Sequence, residues 1–150
     1  MRLEAKDLRE MQIFRDYKAV RKYYGKKYGL NDPELEAIIS LDSLRYFYYE
    51  DFKEATYILR WDKYRWKRWK EDGFFKMWRQ AKGGRDGYKK LWCPTAKTRA
   101  MVDAIYETAL GKREMPMGIS SPFYKQETYT DKVMNTTVDR INKRRNNSKD

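Results

Sequence analysis

The sequence contains no histidine and a single cysteine, Cys93, among its 150 residues. One cysteine cannot form a disulfide within the chain, and a chain without histidine lacks the common ligand sets of zinc sites. The same absence removes the imidazole that activates many serine and cysteine nucleophiles. We therefore expect no metal, no cofactor and no catalytic residue, and a reducing compartment such as the cytoplasm.

Long apolar runs are also missing. The first ten residues, MRLEAKDLRE, are charged throughout, and uncharged apolar runs elsewhere are only a few residues long. A signal peptide needs an apolar stretch of about 7–15 residues, and a transmembrane helix needs about 20. The sequence therefore predicts a protein that is neither secreted nor membrane-spanning.

Positive charge is present in excess. The 34 Lys and Arg residues outnumber the 22 Asp and Glu residues, which gives a formal net charge of +12. Hydrophobic residues make up 41% of the chain, which is too many for a disordered polymer and enough for one domain with tails. An anionic partner is expected, with nucleic acid as the leading candidate and an anionic membrane face as the second.

The excess of positive charge is concentrated in RWDKYRWKRWKEDGFFKMWRQAKGGRDGYKK, residues 60–90. This segment holds twelve Lys or Arg residues, four Asp or Glu residues and four of the five tryptophans. A basic and aromatic helix, then a glycine, then two strands around a glycine-rich basic turn is the order of a recognition helix followed by a wing. The segment therefore indicates nucleic-acid binding.

Apolar spacing and capping residues predict three helices before this segment. Spacing of three and four residues from Leu8 to Tyr28 predicts one long amphipathic helix. Asn31–Glu34 is typical of a helix start, and the second helix runs to about Leu44. A third helix is predicted over Tyr49–Leu59, while RYFYY at positions 45–49 fits either a strand or a helix turn.

The basic segment is predicted to begin with a fourth helix. Asp62 can cap a helix over residues 63–72 that Gly73 ends. Trp66 and Trp69 are three positions apart, so we expect both to point inward. The lysines expected on the opposite stripe are Lys63, Lys67 and Lys70.

A β-hairpin is predicted to follow. Residues 74–80 and 88–93 have strand-like aromatic content and flank AKGGRDG, whose three glycines permit a tight turn. Lys82 and Arg85 are expected at its tip. Thr95 is then predicted to cap a fifth helix that Gly111 ends.

The remainder of the chain predicts less regular structure. Residues 112–129 are expected to form a linker, Thr130 to cap a short helix to about Asn142, and NKRRNNSKD to be a frayed tail. The tail's cations either add an electrostatic arm on DNA or only aid solubility. They are Arg140, Lys143, Arg144, Arg145 and Lys149.

The order of these elements resembles the winged helix-turn-helix fold. WDKYRWKRWKEDGFFKMW is similar to the junction of helix, two acids, glycine and strand in MarR-like regulators, and YKKLWCPTAKTRAMVDAIYETALG to their wing strand and following helix. The resemblance covers roughly residues 31–111. The pattern G-x-x-E-x-P, P-F and Y-T-D-K-V between Gly111 and Val133 is similar to small winged-helix proteins of bacteriophages.

This resemblance implies a mainly α-helical fold with a small β-hairpin wing, of class α+β. It implies a winged-helix domain over residues 1–111, including the long N-terminal helix, and a linker, short helix and basic tail over 112–150. The implied function is double-stranded DNA binding by a small transcriptional regulator in the cytoplasm of a bacterial or phage-infected cell. In MarR-like proteins the first and last helices form a dimer, which implies a possible homodimer here.

Transferred by position, the fourth helix would enter the major groove and the wing the adjacent minor groove. Lysine neutralises phosphates, arginine pairs with guanine, and tyrosine contacts bases or sugars. The implied DNA-binding residues are Lys63, Tyr64, Lys67, Arg68, Lys70, Lys82 and Arg85. The alternatives at this point are a basic helix face that is merely solvated, and RNA binding.

A different class of function is a protein-interaction or structural module, such as a phage virion component or a polymerase-binding factor. The 13 tyrosines favour such contacts. An enzyme is not expected. Asp16–Lys18 and Asp51–Lys53 match the D-x-K fragment of metal-dependent nucleases, but both lie in predicted helices without a partner carboxylate.

Overall fold

The computed structural model describes residues 2–12, 14–57, 62–80 and 90–148. Within those ranges the chain forms seven α-helices, a short 3-10 turn and a two-stranded antiparallel sheet. The predicted α+β class, mainly helical with a small pair of strands, is confirmed. The elements are α1 (Ala5–Met11), α2 (Tyr17–Tyr28), α3 (Asp32–Leu44), α4 (Tyr49–Ala55), α5 (Asp62–Glu71), β1 (Phe75–Gln80), β2 (Lys90–Pro94), α6 (Ala96–Ala109) and α7 (Tyr129–Ser148).

The chain divides into two compact units. The sheet unit comprises residues 33–103, and the terminal unit comprises residues 1–32 together with 104–150. The predicted boundary after residue 111 is a different division of the chain and stays a prediction.

The prediction of a single long N-terminal helix is wrong. Helix α1 ends at Met11 because Gln12 adopts a left-handed conformation with φ of 49°, and α2 begins only at Tyr17. No residue of α1 is buried, and Leu8 is exposed. Apolar spacing alone therefore did not produce a continuous helix, because no packing on this face holds α1 in line with α2.

Helix α2 provides the core of the terminal unit. Val20, Tyr23 and Tyr24 are buried, and the Tyr24 hydroxyl lies 2.9 Å from the Thr108 hydroxyl. The Tyr23 hydroxyl donates to the Pro116 carbonyl at 2.7 Å. The two tyrosines thus join α2 to the end of α6 and to the segment that follows it.

The C-terminal helix is longer than predicted. Helix α7 begins at Tyr129 and continues to Ser148, whereas the predicted helix ended near Asn142 with a frayed tail. Its cap is Thr128 rather than Thr130, since the Thr128 hydroxyl accepts the Asp131 N–H at 3.1 Å and the Asp131 carboxylate accepts the Thr128 N–H at 3.4 Å.

The predicted linker is packed on α7. The Asn142 amide accepts the Met115 N–H at 3.4 Å and donates to the Met115 carbonyl at 3.0 Å. Asn135 donates to the Phe123 carbonyl at 2.8 Å, and both Met115 and Phe123 are buried. Side-chain amides that pair with backbone groups replace the secondary structure that this segment lacks.

We expect Tyr23→Phe to reduce the loss of stability at high pH. Burial raises the pKa of Tyr23 to about 12, with Tyr24 adding to the rise. Its contribution to stability is therefore complete below pH 10 and is lost as pH rises from about 10 toward 12. Chemical unfolding should show the native protein losing about 1 kcal/mol more than the variant by about pH 11. The exposed Tyr129→Phe is the control, and equal losses in native and Tyr23→Phe proteins would contradict the assignment.

The helices of the sheet unit begin and end close to their predicted positions. Helix α3 begins at Asp32, and α4 begins at Tyr49, where the Asp51 carboxylate accepts the Tyr48 N–H at 2.8 Å. Helix α4 ends at Ala55, earlier than predicted, and residues 58–61 lie outside the described ranges. Gly73, with φ of 82°, follows α5 as predicted.

The predicted pair of strands is confirmed. Strands β1 and β2 are antiparallel, with Phe75 opposite Pro94 and Gln80 opposite Lys90. Residues 81–89, with the predicted tip residues Lys82 and Arg85, lie outside the described ranges.

Phe47 adds a single bridge to the free edge of β2. Its N–H donates to the Trp92 carbonyl at 2.9 Å, and the Trp92 N–H donates to the Phe47 carbonyl at 2.8 Å. The ambiguous RYFYY segment therefore contributes one strand-like residue before α4. The spatial order is Phe47, β2, β1.

The fifth helix is confirmed as α6. The Thr95 hydroxyl accepts the Thr98 N–H at 3.4 Å and donates to the Gly73 carbonyl at 2.6 Å. The buried Thr98 hydroxyl donates to the Phe74 carbonyl at 2.7 Å. Thr95 and Thr98 therefore lie at the start of α6 and connect it by hydrogen bonds to the residues just before β1.

Candidate nucleic-acid interface

Helix α5 is anchored by Trp69. This side chain is 0% exposed and lies edge-on to Phe52 and Phe75, with ring centroids 5.5 Å and 6.1 Å away. The prediction that Trp69 points inward is confirmed. Its packing determines which side of α5 faces outward.

A buried carboxylate holds a second side of α5. Glu34 of α3 is only 5% exposed, and Arg68 Nη2 donates to its Oε2 at 2.5 Å. Arg65 Nε lies 3.4 Å from the same oxygen, a charge contact without hydrogen-bond geometry. Two arginines one turn apart thus neutralise one buried acid, which desolvation would otherwise strongly disfavour.

Arg68 therefore differs from the other predicted DNA-binding residues of α5. Its guanidinium is engaged with Glu34 and about one third exposed, where the sequence predicted an outward contact. The partner acid was not identified from the sequence because Glu34 is 34 positions away and lies at a helix start, where acids are common for local reasons.

Three of the predicted residues form the exposed face of α5. Tyr64 is 64% exposed, the Lys67 side chain is 77% exposed, and Lys63 is also exposed. Lys67 Nζ lies 4.0 Å from a Glu71 oxygen, but such an exposed pair contributes little and leaves the lysine available. We call Lys63, Tyr64 and Lys67 the outer face.

Lys70 does not belong to the outer face of α5. Its ammonium lies 5.2 Å from the ring centroids of both Trp66 and Trp92, and the side chain is partly buried. The prediction that Lys70 lies on the side of α5 opposite Trp66 is wrong, since the two residues are four positions apart and the ammonium lies over the Trp66 ring. Trp66 is partly buried rather than a full core residue.

The strands contribute further cations. Lys76, Arg79 and Lys90 are exposed on β1 and β2. The sequence placed them in the basic segment without assigning them a role, because alternation along a short strand does not determine which side chains reach solvent. They add to the exposed positive charge of the sheet unit.

An irregularity in β1 presents an aromatic side chain to solvent. The pairing register shifts between Met77 and Arg79, so Trp78 is an extra residue in the strand. Such bulges redirect side chains. Trp78 is 54% exposed, and its ring lies 5.2 Å from that of the exposed Tyr46.

The C-terminal cations are largely paired within the terminal unit. Arg144 and Arg145 both contact the Asp16 carboxylate, and Lys143 lies 2.9 Å from Asp139. Arg140 is exposed, and Lys149 lies outside the described ranges. The Asp16 contacts make Arg144 and Arg145 less available to DNA than the sequence suggested, whereas the exposed pair of Lys143 leaves that lysine available.

The two D-x-K matches have structural roles for their carboxylates, since Asp16 pairs with Arg144 and Arg145 and Asp51 caps α4. In the described ranges, no cluster of three or more His, Cys, Asp or Glu side chains is arranged to hold a metal ion. No helix among the described residues combines the length and apolarity needed to cross a membrane.

Comparison with known protein families, with curated proteins and with solved structures finds no match. The resemblance to MarR-like regulators and to winged-helix proteins of bacteriophages stays a prediction.

Proposed function

We propose that this protein binds double-stranded DNA through the sheet unit, as a winged helix-turn-helix protein, and acts as a small transcriptional regulator. The observation that carries the proposal is the division of α5 into a core side, with Trp69 buried, and an outer face of Lys63, Tyr64 and Lys67. A helix that is anchored in this way can present a fixed set of side chains to a groove.

The topology supports this proposal. The chain order α3, Phe47 bridge, α4, α5, β1, β2 is the order of helices and strands in a winged helix, and β2 lies between Phe47 and β1 as the returning wing strand does. In that fold the helix equivalent to α5 enters the major groove, which is about 12 Å wide and accommodates one α-helix.

The chemistry of the outer face suits a duplex. Lys63 and Lys67 can each neutralise a phosphate, and Tyr64 between them can contact a sugar or a base edge. Lys76, Arg79 and Lys90 on the strands add further exposed positive charge to the sheet unit. Phosphate contacts of this kind provide affinity for any sequence, and the fewer base contacts provide specificity.

Affinity for a duplex should fall steeply with salt. About six phosphate contacts release enough counterions to weaken binding roughly 1,000-fold between 50 and 200 mM salt. Fluorescence anisotropy with a labelled duplex across that range measures the slope. A slope near zero would contradict the proposal, because it would leave the exposed cations without a role in binding.

Selection from random duplexes tests whether sequence is read. Enrichment of a palindromic motif would support a dimeric regulator, whose two-fold symmetry a palindrome matches. We propose the terminal unit as the site of dimerisation, since Leu3, Leu8, Met11 and Phe14 are exposed on or beside α1. Several exposed apolar side chains within a short stretch of chain favour association with a second copy.

A protein-interaction module is the second candidate. The exposed Tyr46 and Trp78 pair favours it, because aromatic residues in solvent are enriched at protein interfaces. Crosslinking in cells that express the protein, compared with the duplex selection, separates the two functions. Protein partners captured through Trp78, with no enriched DNA motif, would favour the module.

A further inference from the structure

The sheet unit contains an open pocket of about 350 Å³, to which α5 contributes Trp66 and Lys70. Four aromatic side chains line it: Tyr48, Tyr49, Trp66 and Trp92. Its charged lining residues are Lys70, Lys90 and Glu50. The volume lies near the lower end of small-molecule sites, which span about 300–1,000 Å³, so the pocket suits one small planar group.

The aromatic walls are held in place before any ligand arrives. The Trp66 ring lies 4.8 Å from Phe52 and 4.9 Å from Trp92, both measured between centroids. Tyr49 stacks on Phe52 at 5.7 Å and meets Trp66 edge-on at 5.2 Å. The backbone of Trp92 is fixed by its two hydrogen bonds with Phe47. Rings with this many neighbours lose little further freedom when they bind.

The charges of the pocket favour an anion next to the planar group. The Lys70 ammonium rests on Trp66 and Trp92, and neither Lys70 nor Lys90 pairs with a carboxylate among the described residues. Glu50 supplies an acceptor that suits an amino group on a base rather than a phosphate. These features match the parts of a nucleotide: the aromatic walls suit the base, the two lysines suit the phosphate, and Glu50 suits an amino group of the base.

We propose that this pocket binds one unpaired nucleotide of a DNA strand. Its base displaces the Lys70 ammonium from the faces of Trp66 and Trp92, and its phosphate pairs with the displaced Lys70 and with Lys90. The inference rests on the proposed function, since it extends the duplex-binding surface of the same helix. A paired base does not expose its ring face, whereas an unpaired base does. The preferred ligand is therefore a duplex that carries a single-stranded extension.

The experiment compares a blunt labelled duplex with the same duplex that carries a three-nucleotide single-stranded extension, at fixed salt. The native protein should bind the extended duplex about 10- to 100-fold more tightly, the range expected for stacking of one base. Trp92→Leu should remove this advantage, Lys90→Ala should reduce it, and Trp92→Phe should retain most of it. Lys132→Ala, an exposed lysine of α7, is the matched charge control.

The outcomes separate the two proposals. Equal affinity for blunt and extended duplexes would overturn the pocket and leave duplex binding intact. An absence of binding to either duplex would overturn the proposed function itself, and the pocket with it. Tighter binding of a free deoxynucleoside monophosphate than of the extension would also overturn the strand-bound nucleotide. Melting curves identify a Trp92→Leu protein that is unfolded, in which case Lys90→Ala decides.

Discussion

Replacing Lys63 and Lys67 together by glutamate should weaken duplex binding by more than about 1,000-fold while leaving the protein folded. Each substitution removes a charge-assisted contact of about 1.5 kcal/mol and adds a repulsion of similar size, and about 1.4 kcal/mol corresponds to a tenfold change. Both side chains are exposed, so changes away from the core should shift stability by less than about 0.5 kcal/mol.

The local electrostatics of α5 support that expectation. A glutamate at position 63 lies in the first turn, where the helix dipole favours negative charge. This gain offsets two new repulsions of a few tenths of a kcal/mol each, between the glutamates at positions 63 and 67 and between the glutamate at position 67 and Glu71. Thermal melting checks the fold, and anisotropy with a labelled duplex checks binding.

The matched control is the double variant Lys125→Glu and Lys132→Glu. These lysines are exposed in the terminal unit, so the variant has the same net charge with the outer face intact. It should lose much less affinity than the α5 variant. Equal losses in the two variants would mean that net charge, rather than the outer face, determines binding.

Replacing Trp69 by alanine should destabilise the protein by about 3–5 kcal/mol. The side chain is fully buried against Phe52 and Phe75, and its loss leaves a cavity that rigid neighbouring rings cannot fill. Domains are typically stable by only about 5–15 kcal/mol, so this is a large fraction of the total. The melting temperature should fall by about 10–15 °C, measured by calorimetry or circular dichroism.

Two variants sharpen this test. Trp69→Phe keeps an aromatic ring and removes an indole N–H that has no hydrogen-bond partner among the described residues, so its cost should be smaller, about 1–2 kcal/mol. Trp78→Ala removes an exposed tryptophan and should cost less than about 1 kcal/mol. If the Trp69→Ala and Trp78→Ala proteins have the same melting temperature, Trp69 does not anchor α5.

The two results together would separate binding from folding within one ten-residue helix. Lys63 and Lys67 act on an external anion, while Trp69 holds the helix that presents them. Arg65 and Arg68 also serve folding rather than binding, because both guanidinium groups contact the one buried carboxylate of Glu34 and neither is fully exposed. The basic composition of α5 therefore overstates the charge that is available to a partner.

Local signals predicted much of the fold. Thr95 and Gly73 were identified from the sequence because caps and left-handed helix ends depend on residues within one turn. The pairing of β1 with β2 was predicted for the same reason, from aromatic strands on either side of a glycine-rich turn. These features need no knowledge of distant residues.

The predictions that were wrong concern features that depend on residues far away in the sequence. The break between α1 and α2 at Gln12 and the extension of α7 to Ser148 depend on what does or does not pack against each helix. The position of Trp66 depends on its contact with the Trp92 ring. Backbone hydrogen bonds with Phe47 hold Trp92 in place. Spacing along one helix cannot show which neighbour covers it.

By itself, the sequence determined that a basic, tryptophan-rich helix ends at a glycine and leads into two strands, since composition, capping and turn chemistry are local. Only the tertiary structure decided which cations of that helix are available. Lys63 and Lys67 face solvent, Arg65 and Arg68 face Glu34, and Lys70 rests on two tryptophans. The physical reason is that successive positions on a helix differ in the neighbours that reach them, and those neighbours come from distant parts of the chain.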